Sequence, residues 1–265
     1  MGEYLSEELE IACSAAREAG NAIMALYGTE YHVEEKARGQ PVTAADLEAN
    51  LRIQNAVLGR YPDDGWLSEE NRDNGGRLSC SRVWVIDPID GTKEFIECVP
   101  QFAVSIGLVI DGRPALGVVF NPAKDLLFAA VGGGGATLNG APIRVSKRTD
   151  PMGARLLVSR SEPRRKFRDF ENTYRLEPVG SIAYRLALVA GGEGDGTITF
   201  RSIHEWDVCA GVLIVKEAGG VVMDGDGQGL DFNQENPIFR GLVASNGSLG
   251  PEIQRRLAGQ LRSAP

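Results

Sequence analysis

The chain has 265 residues, 43% of them hydrophobic and 24% charged, the balance of a globular protein with a sizeable core rather than of a disordered or fibrous chain. A net charge of -8 leaves no basic footprint for coating nucleic acid, so no nucleic-acid partner is expected, although a small anion could still be held by local cations or metals. The four cysteines, Cys13, Cys80, Cys98 and Cys209, show no metal-ligand spacing and read as scattered reduced thiols of a cytoplasmic protein.

The opening stretch, MGEYLSEELEIACS, has neither a basic region nor a long apolar run, so no signal peptide is expected. No segment approaches the ~20 apolar residues of a membrane span. Leu5, Leu9, Ala12, Ala16, Ala19, Ile23 and Leu26 recur at helical spacing and predict a first amphipathic helix, with Ser6 as N-cap and Gly28 just past its end. A second helix is predicted from TAADLEANL, where Thr43 and Asp46 have capping-box spacing. Its expected apolar stripe is Leu47, Leu51 and Leu58, widened by Ile53 and Val57.

WLSEE and VWVID then read as short strands that each run into acids. FAVSIGLVIDGRPALGVVFNP reads as a hairpin turning at DGRP. LLFAAV and GGGGATLNG continue the strand pattern; the GGGG at 132–135 is a bend, since no GK[ST] follows it. Residues 1–150 are thus expected to form helices plus a mostly antiparallel sheet.

Residues 151–265 read differently. ARLLVS, DGTITF, VVMD and GLVAS are strand-like, and RRKFRDFENTY is a basic helix or loop. Apolar helices are expected in VGSIAYRLALVAGG, after a turn, and in WDVCAGVLIVKEAGG. A last helix, GPEIQRRLAGQL, carries Ile253, Leu257 and Leu261 on one face. The alternation predicts an α/β half. No linker separates it from the first half, so both are expected in one compact body.

The chemistry concentrates where acids follow apolar runs. Glu69 and Glu70 follow WLS, Asp87 and Asp90 flank Pro88, and Asp207 opens an apolar helix. Singly, each could be a cap or a solvated strand end. The DPID pair is harder to explain that way. Pro88 fixes its own φ and biases Asp87 away from helix, so the chain turns with both carboxylates at the strand end. Two close, partly buried anions repel, so either one binds a proton or a cation binds between them. Hard cations such as Mg²⁺ prefer such oxygens. The two histidines, His32 and His204, offer no zinc cluster and no partner for a Ser-His-Asp hydrolase. On this reading Asp87 and Asp90 hold metal and the Ile89 carbonyl adds an oxygen. Gly91 lets the backbone come close, the Gly91 and Thr92 amides can meet a phosphate oxygen, Thr92 orients water, and Lys93 attracts an anion.

WLSEE, WVIDPIDGTKEF and EWDVCAGVLIVKEAGG resemble, in order, the three signatures of the inositol monophosphatase superfamily, and PVTAAD resembles its segment with a catalytic Asp. The likeness runs from about residue 5 to 261. It implies a layered αβαβα sandwich, combining α+β and α/β features, that commonly forms a homodimer. It also implies Mg²⁺-dependent hydrolysis of small phosphorylated metabolites by two or three ions, often inhibited by Li⁺. The resemblance makes Glu69, Asp87, Ile89 (carbonyl), Asp90 and Asp207 metal ligands. Asp46 and Thr92 would position and deprotonate the attacking water, with Glu70 behind them. Gly180, Ser181 and the rest of GSIA resemble a substrate-contacting turn.

DPIDGTKEF with Lys93 looks most like the 3′(2′),5′-bisphosphate nucleotidase branch, which converts 3′-phosphoadenosine 5′-phosphate to AMP. Glu162 and Tyr184 depart from that branch, where His and Lys are usual; Arg185 is adjacent. IHEWD is closer to the inositol branch, but the hydroxyl-gripping glutamate of that branch falls near Phe200 here, beside Arg201. Lys93 and Arg201 are expected to favour doubly phosphorylated substrates. Of the basic cluster Arg160, Arg164, Arg165, Lys166 and Arg168, all but Arg160 read as solvated surface. A regulatory binding dimer with a decayed site is the non-enzyme alternative, but such a chain should have lost one of Glu69, Asp87, Asp90 or Asp207, and all four stand.

Overall fold

The computed structural model describes residues 5–29, 33–37 and 40–263, and the apolar periodicity of the chain is visible in how its layers stack. Helix α1 (Ser6–Leu26) and helix α2 (Ala44–Leu58) flank a small antiparallel ladder of β1 (Val33–Ala37) and β2 (Gln40–Thr43). α1 buries Ala12, Ala15, Ala16, Ala19 and Ile23, small residues that let α2 come close. Ser6 is its first helical residue rather than its N-cap. The preceding position is Leu5, which makes no side-chain cap and is buried in the core instead.

The capping box on α2 forms: Thr43 Oγ1 accepts from the Ala45 amide, and the Thr43 amide donates to Asp46 Oδ2 at 2.7 Å. The expected leucine stripe does not form. Leu47 and Leu51 are 53% and 50% exposed, and the buried face is Ala45, Ala49, Ile53 and Val57. Packing against the alanines of α1 selects the narrow face of α2 over the bulky one.

The first sheet follows the chain from β3 to β9: β3 (Gly65–Ser68), β4 (Arg82–Asp90), β5 (Ala103–Ile110), β6 (Arg113–Asn121), β7 (Leu126–Val131), β8 (Gly135–Leu138) and β9 (Ala141–Ile143). β3 is parallel to β4 and all later neighbours are antiparallel. The DGRP turn places Asp111 and Gly112 at φ 50° and 77°, the left-handed pair that a two-residue hairpin needs. The GGGG bend turns β7 into β8, and the amides of Gly133 and Gly135 are taken up by the Glu217 carboxylate rather than by a phosphate.

The second sheet holds β10 (Ala154–Ser159), β11 (Tyr174–Val179), β12 (Gly196–His204), β13 (Val221–Asp224) and β14 (Ile238–Ser245), in the order β11-β10-β12-β14-β13. It is parallel on one side of β12 and antiparallel on the other. β11 has no strand signal in the sequence because Pro178 interrupts it. It runs along the sheet edge, where a missing N–H costs little. The basic segment before it forms a 3₁₀ turn and the four-residue α4 (Arg168–Glu171).

Between the sheets lie α5 (Ile182–Ala190) and α6 (Glu205–Glu217). α6 is apolar all round because it has a sheet on each side. Close approach depends on glycine: a Cβ on Gly117 of β6 would lie 2.6 Å from the Ala210 carbonyl of α6. α1 and α2 cover the outer face of the first sheet, and α7 (Gly250–Ser263) covers the second with Ile253, Leu257 and Leu261. The layers therefore run αβαβα. No helix of the described residues is long and apolar enough to cross a membrane.

Candidate active site

The ends of β4, β10 and β12 and the starts of α5 and α6 meet around one cavity of about 510 Å³. β4 reaches it through a register break. Asp87 faces Ser105 on β5 and Asp90 faces Ala103, so the β4 side carries one residue more. Pro88, with no N–H to give to the ladder, sits in that bulge. Asp87 Oδ1 accepts from the Ile89 amide at 3.0 Å. Gly91 follows at φ 97° and opens the short helix α3 (Thr92–Ile96). Its Cβ position lies 3.1 Å from the Gln101 carbonyl, so both conformation and space require glycine there.

Thr92 Oγ1 lies 3.1 Å from Asp46 Oδ1 and 3.1 Å from the Ile89 carbonyl. Asp46 Oδ2 is held by the Thr43 amide and hydroxyl. The α2 cap therefore also aims a carboxylate at Thr92. On the other wall, Asp90 Oδ2 accepts from Ser181 Oγ at 2.7 Å and from the Ala183 amide at 2.6 Å. Ser181 itself stands at φ 55°, a strained conformation for a non-glycine residue. Asp207 Oδ2 accepts from the His204 amide at 2.7 Å.

One oxygen of each aspartate is thus fixed by backbone or hydroxyl. The second oxygens, Asp87 Oδ2, Asp90 Oδ1 and Asp207 Oδ1, take no hydrogen bond from the described residues. Glu69 lines the same cavity. The electrostatic result is mutual destabilisation of the anions. Burial, then repulsion from Glu69, Asp90, Asp207 and Asp46, holds the Asp87 carboxyl well above the usual range. Burial and the Asp90 charge raise Asp207. Burial pushes Asp90 up to about 6 against the bonds from Ser181 and Ala183. Asp46 is likewise pushed up to about 6 by burial, which outweighs its bonds from Thr43.

The donor set fits a hard divalent cation. All the donors are oxygens and no cysteine lines the cavity. His204 stacks on Trp206 with ring centres 4.3 Å apart, and burial lowers its pKa. Among the described residues no three acidic, His or Cys side chains already close around one point. Carboxylates spread along an open wall suit ions that keep water and substrate oxygens in their shell, as Mg²⁺ does.

Ile89, Gly91, Thr92, Lys93, Gly180, Ser181 and Arg201 also line the cavity, while Asp46 reaches it through Thr92; Glu70 does not line it, but its charge helps to raise Asp46. His32 lies outside the described residues. Arg160 is ion-paired across the rim to Glu94 at 3.5 Å and Glu97 at 3.3 Å. Arg164 is paired to Glu171 on the surface. Arg201 Nη2 donates to the Ser161 carbonyl at 2.9 Å, and a register break between Thr199 and Ser202 in β12 brings Arg201 to the rim.

Arg185, which the sequence offers only as a neighbour of Tyr184, is the residue whose place in the site the structure adds. It lines the cavity and is only 4% exposed, whereas Tyr184 meets Lys124 Nζ at 3.2 Å outside the cavity. Its signal was present: one cation stands in IAYRLALVA, a helix otherwise without charge.

A layered αβαβα body whose sheet and helix ends bring the carboxylates of Glu69, Asp87, Asp90 and Asp207 to one cavity defines a metal-dependent phosphatase class. The family model of the inositol monophosphatase family matches residues 4–264, and the chain belongs to that family, whose members are hydrolases of phosphoric monoesters. It is 37% identical over 262 residues to the inositol-1-monophosphatase of Synechocystis, covering 94% of this chain and 88% of that one. It is 34% identical over 259 residues to the fructose-1,6-bisphosphatase/inositol-1-monophosphatase of Thermotoga maritima, covering 93% and 94%. The solved structure of the extragenic suppressor protein suhB from Bartonella henselae superposes with a TM-score of 0.86 at 31% identity, over 95% of this chain and 98% of that one.

Proposed function

We propose that the protein is a Mg²⁺-dependent phosphomonoesterase of small, doubly phosphorylated metabolites, with 3′-phosphoadenosine 5′-phosphate, cleaved to AMP and phosphate, as its first substrate. The observation that carries this reading is the mixed lining of one cavity: the carboxylates of Glu69, Asp87, Asp90, Glu94 and Asp207 together with Lys93, Arg185 and Arg201. Cations neutralising the scissile phosphate leave these three side chains without a task on a neutral polyol. Phe200 supports the same reading. Its ring packs on Phe167 and Phe170 at 5.5 and 6.4 Å, so this position offers no carboxylate to grip sugar hydroxyls. The Thermotoga relative is itself named for a bisphosphate and a monophosphate.

In this reading Glu69, Asp87, Asp90, Asp207 and the Ile89 carbonyl hold the metal. Mg²⁺, when bound, supplies a water of lowered pKa and neutralises charge on the phosphoryl group. The chain provides the proton path and the positioning. Thr92 Oγ1 donates to Asp46 Oδ1, which leaves its lone pairs to orient the attacking water. Asp46, poised at about 6, accepts the proton near neutral pH. Positioning and charge suffice for phosphoryl transfer, so no covalent nucleophile is required.

Inositol 1-phosphate is the second reading, favoured by the name of the Synechocystis relative. A substrate panel separates them. The expected result is a higher kcat/KM for 3′-phosphoadenosine 5′-phosphate than for inositol 1-phosphate; the reverse order would replace the first reading with the second.

A further inference from the structure

Arg185 is a buried cation whose charge is not closed by the protein. Its Nη1 donates to Thr197 Oγ1 at 3.0 Å and to the Ile198 carbonyl at 2.9 Å, which ties α5 to β12. Its Nε is buried and has no partner, and Nη2 takes none among the described residues. Burial pulls its pKa down to about 10, so it remains charged at neutral pH.

The three carboxylates whose fields reach it are Glu162, Asp90 and Glu94, and each is already engaged. Glu162 accepts from Thr199 Oγ1 and the Phe200 amide and faces Lys166 at 3.8 Å. Asp90 accepts from Ser181 and Ala183. Glu94 is paired with Arg160 at 3.5 Å. A buried guanidinium with unmatched donors is costly unless a ligand completes it, and this one lines the cavity that holds the carboxylate wall.

We propose that Arg185 is a specificity-determining residue, the floor of a second anion subsite in which it and Arg201 hold the substrate's retained anionic group while the carboxylate wall works on the scissile phosphate. The inference rests on the doubly phosphorylated substrate proposed above and names the side chain that reads the second phosphate. With Nη1 committed to β12 and Nε buried, Nη2 is the donor that can meet a phosphate oxygen, as a charge-assisted hydrogen bond. Arg201 reaches the same cavity from the rim, anchored on the Ser161 carbonyl.

The test compares two substrates that differ only in the second anion, 3′-phosphoadenosine 5′-phosphate and adenosine 3′-phosphate. The readout is the ratio of their kcat/KM values. In the wild type the bisphosphate should be preferred. In Arg185→Met the ratio should fall at least about tenfold, the loss of one charge-assisted contact, and in Arg185→Lys it should fall partway. A ratio that survives in Arg185→Met would overturn the subsite while leaving the substrate reading intact, even if both activities drop together through Asp90 or through loosened packing. A wild type with no preference for the bisphosphate would overturn both. If Arg185→Met does not fold, Arg185→Lys carries the test alone, and an unchanged ratio in it would overturn the subsite.

Discussion

Asp90 at the end of β4 accepts a hydrogen bond from the amide of Ala183, in the first turn of α5, at 2.6 Å and across 93 residues of chain. One oxygen of a candidate metal ligand thereby caps a helix that packs between the two sheets, with Ser181 Oγ as a second donor at 2.7 Å. The carboxylate is held in place by the half of the chain that does not contain it. Asp90→Asn keeps an acceptor for both donors but loses the charge. It should fold with nearly wild-type stability and lose at least about 100-fold in turnover. Asp90→Ala leaves the fully buried Ala183 amide unpaired and should also cost about 1–3 kcal/mol. Phosphate release and chemical denaturation on the two variants check both halves; wild-type-like turnover in Asp90→Asn would refute the ligand role.

The raised carboxyls set an unusual pH dependence for the metal-free protein. Asp46 and Asp90 are pushed up to about 6, and Asp87 and Asp207 are raised as well. From about pH 4 to 6 Asp46 and Asp90 keep protons in the folded state that the unfolded state has released, so their contribution to stability falls as pH rises through that window, and the raised Asp87 and Asp207 act in the same direction. With chelator present, Tm should be lower at pH 8 than at pH 5, and Asp90→Asn should flatten that decline. Mg²⁺ should raise Tm more at pH 8 than at pH 5, because only the ionised cluster binds it. Thermal melts across pH, with and without Mg²⁺, read this directly; an equal Mg²⁺ effect at both pH values would count against the site.

What the sequence disclosed was local chemistry. Thr43 and Asp46 are three residues apart, and the capping box they form is fixed by that spacing. Asp87 and Asp90 flank a proline, and the bulge follows from the missing N–H. What stayed hidden depended on packing partners far away in the chain. Leu47 and Leu51 look like a core stripe until the alanines of α1 claim the other face of α2. β11 carries a proline and is tolerated only because it lies at an edge. The Asp90–Ser181 bond spans 91 residues, and no periodicity encodes it. Arg185 looked like a neighbour of Tyr184, and only the helix orientation shows which of the two lines the cavity.

Thr92 links Asp46 to the cavity, since its hydroxyl stands 3.1 Å from Asp46 Oδ1. Thr92→Val keeps the shape and removes the hydroxyl. It should lower kcat by about 100-fold or more, with a smaller effect on KM, while Thr92→Ser should retain most of the activity. The acid limb of kcat/KM should fall near pH 6, where Asp46 takes up a proton and can no longer accept one from water. Asp46→Asn should remove that limb together with most of the turnover. A Thr92→Val enzyme with unchanged kcat would exclude the relay.

Gly180 is the point where the second half of the chain rests on α3. Its amide donates to Gln101 Oε1 at 2.9 Å, and an added Cβ would lie 2.4 Å from Glu94 Cγ and 2.8 Å from the Gln101 carbonyl. The carbonyl is backbone and Glu94 is buried and tied to Arg160, so neither can yield cheaply. Gly180 has no left-handed φ, and the constraint is therefore space rather than conformation. Gly180→Ala should destabilise the protein by about 1–3 kcal/mol. It should also reduce turnover, because the displaced loop carries Ser181 and with it one anchor of Asp90. Gly229→Ala, where nothing lies within 4 Å, is the control and should leave both properties near wild type. Urea midpoints and phosphate release on the two variants decide it; a Gly180→Ala protein as stable and active as the control would mean that this contact does not hold the loop.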